Sequence, residues 1–256
     1  MTDAAAKSIA AMRRAQDEFS DLVATLTPEQ LRTGSACTEW SVADVLSHLG
    51  SGAENNRRTL LAGKADMAAN QAAWDRWNTM TPQEKANNSV SFGEQLVLAF
   101  ESQNEEARQN RKIDLGILPM PVDIALCADL RLSEMALHRW DVEVSFDAQA
   151  RVSDYLVPVV LERLPLFAGF FAKPIGRALR IGIKTSNPDH NYVLELTTDG
   201  RLSEDVSSDV DANVSLPAGA FVLLTSGRLA PKHTPAGVEV TGAVSLDELR
   251  AVFPGY

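Results

Sequence analysis

Apolar residues recur at close to helical spacing through the first part of the chain. Between Ala4 and Leu26 they fall at Ile9, Met12, Phe19, Leu22, Val23 and Leu26. That is near the 3.6-residue period that gathers side chains on one face, so the segment predicts a long amphipathic helix. Thr27-Pro-Glu-Gln30 follows as a capping box with Pro at the first helical position, opening a short turn of helix through Leu31. Ser41-Val-Ala-Asp44 repeats the device with Asp in place of Glu. It starts a helix through about Leu61 with Val42, Val45, Leu46 and Leu49 on its apolar face. Thr81-Pro-Gln-Glu84 is a further box, Phe92 to Asn110 reads as another amphipathic helix, and Pro121 to about Phe146 as the last. Four long helices with short connectors predict an antiparallel bundle.

The pattern changes after Val152. Two helical pieces, Tyr155–Leu164 and Pro165–Ala172, lead into a β-type run at Ala178–Lys184, the turn residues Asn187-Pro-Asp-His190, and the alternating strand Tyr192–Thr197. Val214-Ser-Leu216 reads as a third strand, and Pro217 to Ser226 as a helix stopped by Gly227. Gly237–Gly242 is a further strand, and Ser245-Leu-Asp-Glu248 caps a last helix to Phe253. The fold class that follows is α+β, a helical bundle over residues 1–150 and a small mixed α/β domain over 151–256.

A chain of 256 residues is comfortable for two such domains. Its longest greasy stretch, Tyr155 to Ile183, is broken by Pro158, Glu162, Arg163, Pro165, Lys173 and Arg177, short of the roughly 18 apolar residues a membrane helix needs. The N-terminus mixes charges with alanines and lacks the apolar core of a secretion signal, so the expected location is the cytoplasm. Residues 1–150 hold 14 Lys and Arg against 22 Asp and Glu, so −8 of the net −10 sits there. An acidic surface repels phosphate backbones, which argues against nucleic acid as a partner. Cys37 and Cys127 have no metal-type spacing and read as reduced thiols packed in or near the core.

The candidate chemistry lies in the bundle. Glu134 and His138 in SEMALHRWD are one helical turn apart and share a face with Cys127, Leu130, Leu137 and Asp141. His48, in WSVADVLSHLG, lies on the stripe of Asp44, Val45 and Leu49 that must pack inward. A buried carboxylate without a partner is penalised, whereas coordination of a divalent cation removes the penalty. Bundle cores commonly build such sites from Glu and His on facing helices. Three ligands with a vacant fourth position suit catalytic zinc, although the same donors also suit iron, nickel and manganese. The bland alternatives are a hydrogen-bonded core histidine at His48 and a surface i,i+4 pair at Glu134 and His138. Asp141, three residues past His138, is placed to accept the free ring N–H of that histidine or to bind substrate. His190 and His233 lie in polar, loop-like contexts and read as ordinary surface histidines.

The stretch CTEWSVADVLSHL (37–49) followed by EMALHRWD (134–141) resembles the mycothiol-dependent maleylpyruvate isomerase family of DinB-like four-helix metalloproteins. ANVSLPAGAFVLLTSGR (212–228) and VTGAVSLDELRAVFPG (240–255) resemble that family's second domain, which is similar to sterol-carrier-type α/β domains. The resemblance implies a zinc site of His48, Glu134 and His138 with mycothiol, a low-molecular-weight thiol, as fourth ligand. It further implies that Arg228, in the SGR segment, holds a substrate carboxylate. A metal-dependent S-transferase or isomerase acting on a small electrophile is the expected function, as a monomer or homodimer that binds neither nucleic acid nor membrane. Hydrolysis by metal-activated water and a non-catalytic small-ligand-binding protein remain as alternatives, since fold does not determine substrate.

Overall fold

The computed structural model describes residues 3–197, 199–204 and 209–255, which divide into two compact units, Met1–Ala150 and Arg151–Tyr256. The first runs α1 (Ala4–Thr25), α2 (Pro28–Leu31), α3 (Val42–Ala62), α4 (Met67–Asn78), α5 (Pro82–Glu101), α6 (Glu105–Asn110), β1 (Lys112–Ile113), β2 (Val122–Asp123) and α7 (Ile124–Glu143). The helices of 20 to 22 residues, α1, α3, α5 and α7, form the body of the bundle. Complete capping boxes at Thr27, Ser41 and Thr81 set the starts of α2, α3 and α5, each hydroxyl accepting a backbone N–H that the first turn leaves unpaired.

Several expected boundaries move, each for a local reason. The helix expected over 92–110 begins instead at Pro82, behind the Thr81 box, and stops at Glu101. Asn104 then accepts the Ala107 N–H at 2.8 Å and starts the separate α6. The last bundle helix starts at Ile124 rather than Pro121, because Val122–Asp123 pairs antiparallel with Lys112–Ile113 and Asp123 caps the helix. The unanticipated α4 buries just Asn70, Ala73 and Trp77, too sparse a pattern to stand out in sequence.

Packing inside the bundle is close where α3 meets α5. A Cβ on Gly50 would lie 2.1 Å from the Trp77 ring and 2.9 Å from the Ser89 Cα, so only glycine admits that approach. Trp77, Trp140, Phe100, Met12, Leu46, Leu49, Leu60 and Leu96 are fully buried, each side chain contributing about 1.5–3 kcal/mol of hydrophobic stabilisation. Arg13 on α1 binds Glu94 and Glu101 on α5 at 2.6 and 2.9 Å, partly exposed pairs that add little to stability.

In the second unit α8 (Val157–Phe171) precedes β3 (Leu179–Ser186), β4 (His190–Leu196), β5 (Gly200–Ser203), β6 (Ala212–Pro217), α9 (Ala218–Thr225), β7 (Glu239–Gly242) and α10 (Leu246–Val252). The two helical pieces expected over 155–172 are one helix that tolerates Pro165 in its interior. The sheet has the order β5-β4-β3-β6-β7, with β3 and β6 parallel and the other pairs antiparallel. Ile181, Ile183, Leu194, Val214 and Phe221 bury its inner face. No helix among the described residues is long and apolar enough to cross a membrane.

Candidate metal centre

The candidate ligands come from two helices, with the loop before one of them alongside. Ser41 accepts the Asp44 N–H, and the Asp44 carboxylate in turn accepts the Ser41 N–H, which fixes the start of α3 and brings His48 into its second turn. Asp44 itself faces outward, capping the helix and accepting from Lys85 at 2.7 Å, so it does not belong to the inward stripe assigned to it from the sequence. Across the bundle, α7 carries Glu134 and His138 one turn apart. His48 Nε2 lies 2.9 Å from Glu134 Oε2, and His138 Nε2 lies 3.6 Å from the same oxygen. One donor atom from each of the three falls within 4.8 Å of the others.

His138 uses both ring nitrogens. Nδ1 lies 2.8 Å from Asp141 Oδ2, and the Cys37 thiol donates to the same oxygen at 3.0 Å. Asp141 is fully buried and His138 side-chain exposure is 11%. With Nδ1–H given to a carboxylate, the imidazole turns Nε2 toward Glu134 and His48, and on losing its Nε2 proton it has the arrangement in which histidine binds metal. Cys37, His138 and Asp141 also group within 4.8 Å, but their convergence is on the Nδ1 side of the ring.

Glu134 and His48 differ from the sequence-based expectation of core burial. Their side chains are 48% and 40% exposed, so although protein atoms ring Glu134, water reaches its carboxylate. Burial pushes the Glu134 carboxyl up, and the hydrogen bonds and charges of His138 and His48 more than offset this, holding it well below the usual range. Burial pushes His138 down, and hydrogen bonds to Asp141, Cys37 and Glu134 raise it to about 10. The centre is thus closed behind His138 and open at Glu134 and His48. Two imidazole nitrogens and one carboxylate oxygen with an open side suit a divalent cation that keeps an exchangeable position.

The loop of residues 34–41 supplies two neighbours that sequence reasoning had not placed at the centre. Ser35 N–H donates to the Trp40 carbonyl at 2.8 Å and Gly34 bridges Ser41, while the Ala36 N–H donates to the Asp141 carbonyl. This holds the Trp40 ring 5.3 Å from that of His48 and 6.3 Å from that of His138. Cys37, read from the sequence as a thiol in or near the core, is half-buried beside Asp141, whereas Cys127 is buried, its thiol pushed up to about 12 by burial and then by Asp123. The eight-residue spacing from Trp40 to His48 was the available signal for the first.

Arg228 belongs to the second unit. Gly227 ends α9 with φ of 73°, the left-handed conformation of a helix stop. The Arg228 N–H then donates to the Leu223 carbonyl, and its Nη1 to the Ser226 carbonyl at 3.1 Å. His190 opens β4 with its ring 5.8 Å from that of Tyr192, and His233 closes a 3₁₀ turn. Neither joins a cluster of metal-type ligands among the described residues.

The model of the mycothiol maleylpyruvate isomerase N-terminal domain family matches residues 12–143, just over half the chain, from within α1 to the end of α7. The chain belongs to that family. The match includes His48, Glu134, His138 and Asp141. Among solved structures, the crystal structure of the mycothiol-dependent maleylpyruvate isomerase superposes with a TM-score of 0.68 at 13% identity, covering 94% of this chain and 95% of that one. A histidine-to-alanine mutant of that isomerase gives 0.68 at 12% identity with the same coverage. At this identity the likeness establishes that the fold of the mycothiol maleylpyruvate isomerase extends over both units. A search of curated proteins gives no match.

Proposed function

We propose that this member of the mycothiol maleylpyruvate isomerase family is a metal-dependent enzyme that uses a low-molecular-weight thiol, mycothiol, to transfer to or isomerise a small electrophile. The observation that carries the reading is the convergence of His48, Glu134 and His138 donors within 4.8 Å, with the second nitrogen of His138 committed to buried Asp141. A divalent ion held there, most simply Zn2+, supplies the positive charge that keeps a bound thiol as thiolate. His48 and Glu134 hold the open side, where a thiol or substrate enters. Asp141 keeps the proton of His138 on Nδ1 and fixes the plane of its ring. Trp40 shields one flank of the two imidazoles and leaves the Glu134 side to solvent.

For Arg228 we propose the role of holding a substrate carboxylate through its planar two-donor fork. The support is the SGR segment that resembles the family's second domain. The proposed enzyme works in the cytoplasm, as a monomer or homodimer, without nucleic acid. The same open side would accept water for hydrolysis, so thiol dependence of turnover separates the two enzymatic readings. A non-catalytic binding protein would instead fill the fourth position from the protein. Asp141 lies on the opposite, Nδ1, side of His138, which favours the catalytic readings.

The decisive experiment is metal analysis of protein prepared without chelator at neutral pH, followed by thiol titration. About one divalent ion per chain is expected, lost in His138→Ala and retained in His190→Ala. Protein without metal, or equal retention in both variants, refutes the assignment.

A further inference from the structure

Arg131 lies on α7 one turn before Glu134 and is 95% withdrawn from solvent, its relative exposure being 5%. Such a residue usually survives burial by pairing with a carboxylate. Here no carboxylate lies within ion-pair distance among the described residues, and its Nε has no hydrogen-bond partner. Glu134 is the acidic group whose charge it feels. The guanidinium spends its geometry elsewhere. Its Nη2 donates to the Leu49 carbonyl at 2.9 Å, one residue past His48 on α3. Its Nη1 lies against Gly52, where a Cβ would stand 3.3 Å away, a few tenths of an ångström closer than an ordinary contact.

This contact falls where the bundle most needs one. α3 packs principally on α5 and α7 principally on α1, so the two ligand-bearing helices touch each other less than they touch their other neighbours. The metal centre nevertheless straddles them, with His48 on one and Glu134 and His138 on the other. A slip of about 1 Å between α3 and α7 would part His48 from Glu134, and sites of this kind lose function when their supporting residues are that loose.

We propose that Arg131 is a positioning residue for the metal centre: bonded to the Leu49 carbonyl and seated on Gly52, it holds α3 at the offset from α7 at which His48 and Glu134 share one ion. The inference rests on reading the three ligands as a metal site. It goes further in assigning a buried cation, which stabilises the fold poorly, to the geometry of that site.

The test is competitive Zn2+ titration of wild type, Arg131→Met and Arg131→Lys against a chromophoric chelator, with thermal melts of the metal-free proteins and the visible spectrum of the Co2+ forms. Replacing a buried, unpaired ion by an apolar chain of similar volume is expected to leave the metal-free melting temperature unchanged or raised. Zn2+ affinity is expected to fall by about 10- to 100-fold, the range for residues that support ligands from behind, with an altered Co2+ spectrum. Arg131→Lys keeps a donor and the charge but not the planar fork, and is expected to recover part of that loss. A purely structural role predicts the reverse, a lowered melting temperature with wild-type affinity and spectrum, and overturns the proposal. Should Arg131→Met fail to fold, Arg131→Lys decides alone: about tenfold weaker Zn2+ binding supports the proposal, and wild-type affinity overturns it. Wild-type protein that takes up no Zn2+ would refute the metal-site reading itself, a result distinct from wild-type uptake that the variants share.

Discussion

Asp141→Asn tests the geometry behind His138 with almost no change of shape. Asp141 Oδ2 accepts from His138 Nδ1 at 2.8 Å and from the Cys37 thiol at 3.0 Å in a fully buried setting. Both contacts are charge-assisted, and such bonds contribute about 1.5–3 kcal/mol against about 1 kcal/mol for neutral ones. Losing the charge at His138 therefore weakens the hold on that ligand by roughly 1–2 kcal/mol, or about 5- to 30-fold in metal affinity. The amide adds a second effect. If its NH2 rather than its oxygen meets Nδ1, the histidine proton moves to Nε2, where it blocks coordination, and the loss grows toward the 100-fold end of the range for such partners. Competition with a chromophoric chelator measures the affinity, and 15N NMR reports which His138 ring nitrogens carry a proton. The backbone fold is expected to persist, since Trp140, Val142 and Ala136 pack as before around an isosteric side chain. Metal affinity within twofold of wild type together with unchanged turnover would refute the reasoning and leave Asp141 as a buried structural carboxylate.

Gly50→Ala drives a methyl into the Trp77 ring and the Ser89 backbone, and is expected to destabilise by about 1–3 kcal/mol or more; a wild-type denaturant midpoint would contradict the close approach of α3 to α5. Arg228→Ala is expected to keep metal and thiol binding but lose conversion of a carboxylated electrophile, and Arg228→Lys to restore it incompletely; wild-type conversion by the alanine variant removes Arg228 from the mechanism. Burial holds the Cys127 thiol protonated until about pH 12, so alkylation near pH 8 is expected to label half-buried Cys37 and to reach Cys127 only on unfolding, as peptide mapping would show; early labelling of Cys127 counts against its burial.

The local rules of the chain were legible without the fold. The boxes at Thr27, Ser41, Thr81 and Ser245 are complete in the structure because a capping hydroxyl and its partner three residues on act within one turn, independent of anything distant. The one-turn spacing of Glu134 and His138 likewise guarantees a shared face once α7 is a helix. Where competing local signals met, periodicity alone misled: it ran a single helix through the Asn104 cap and divided α8 at Pro165, which the helix absorbs. What no periodicity carries is which faces meet and how deep they lie. The sequence places His48 and Glu134 on inward stripes, yet both open to solvent where α3, packed mainly on α5, meets α7, packed mainly on α1. Beside them stand Trp40 and Cys37 from a loop, and Arg131 against Gly52. Their positions follow from contacts tens of residues apart in sequence, so only the assembled bundle decides them.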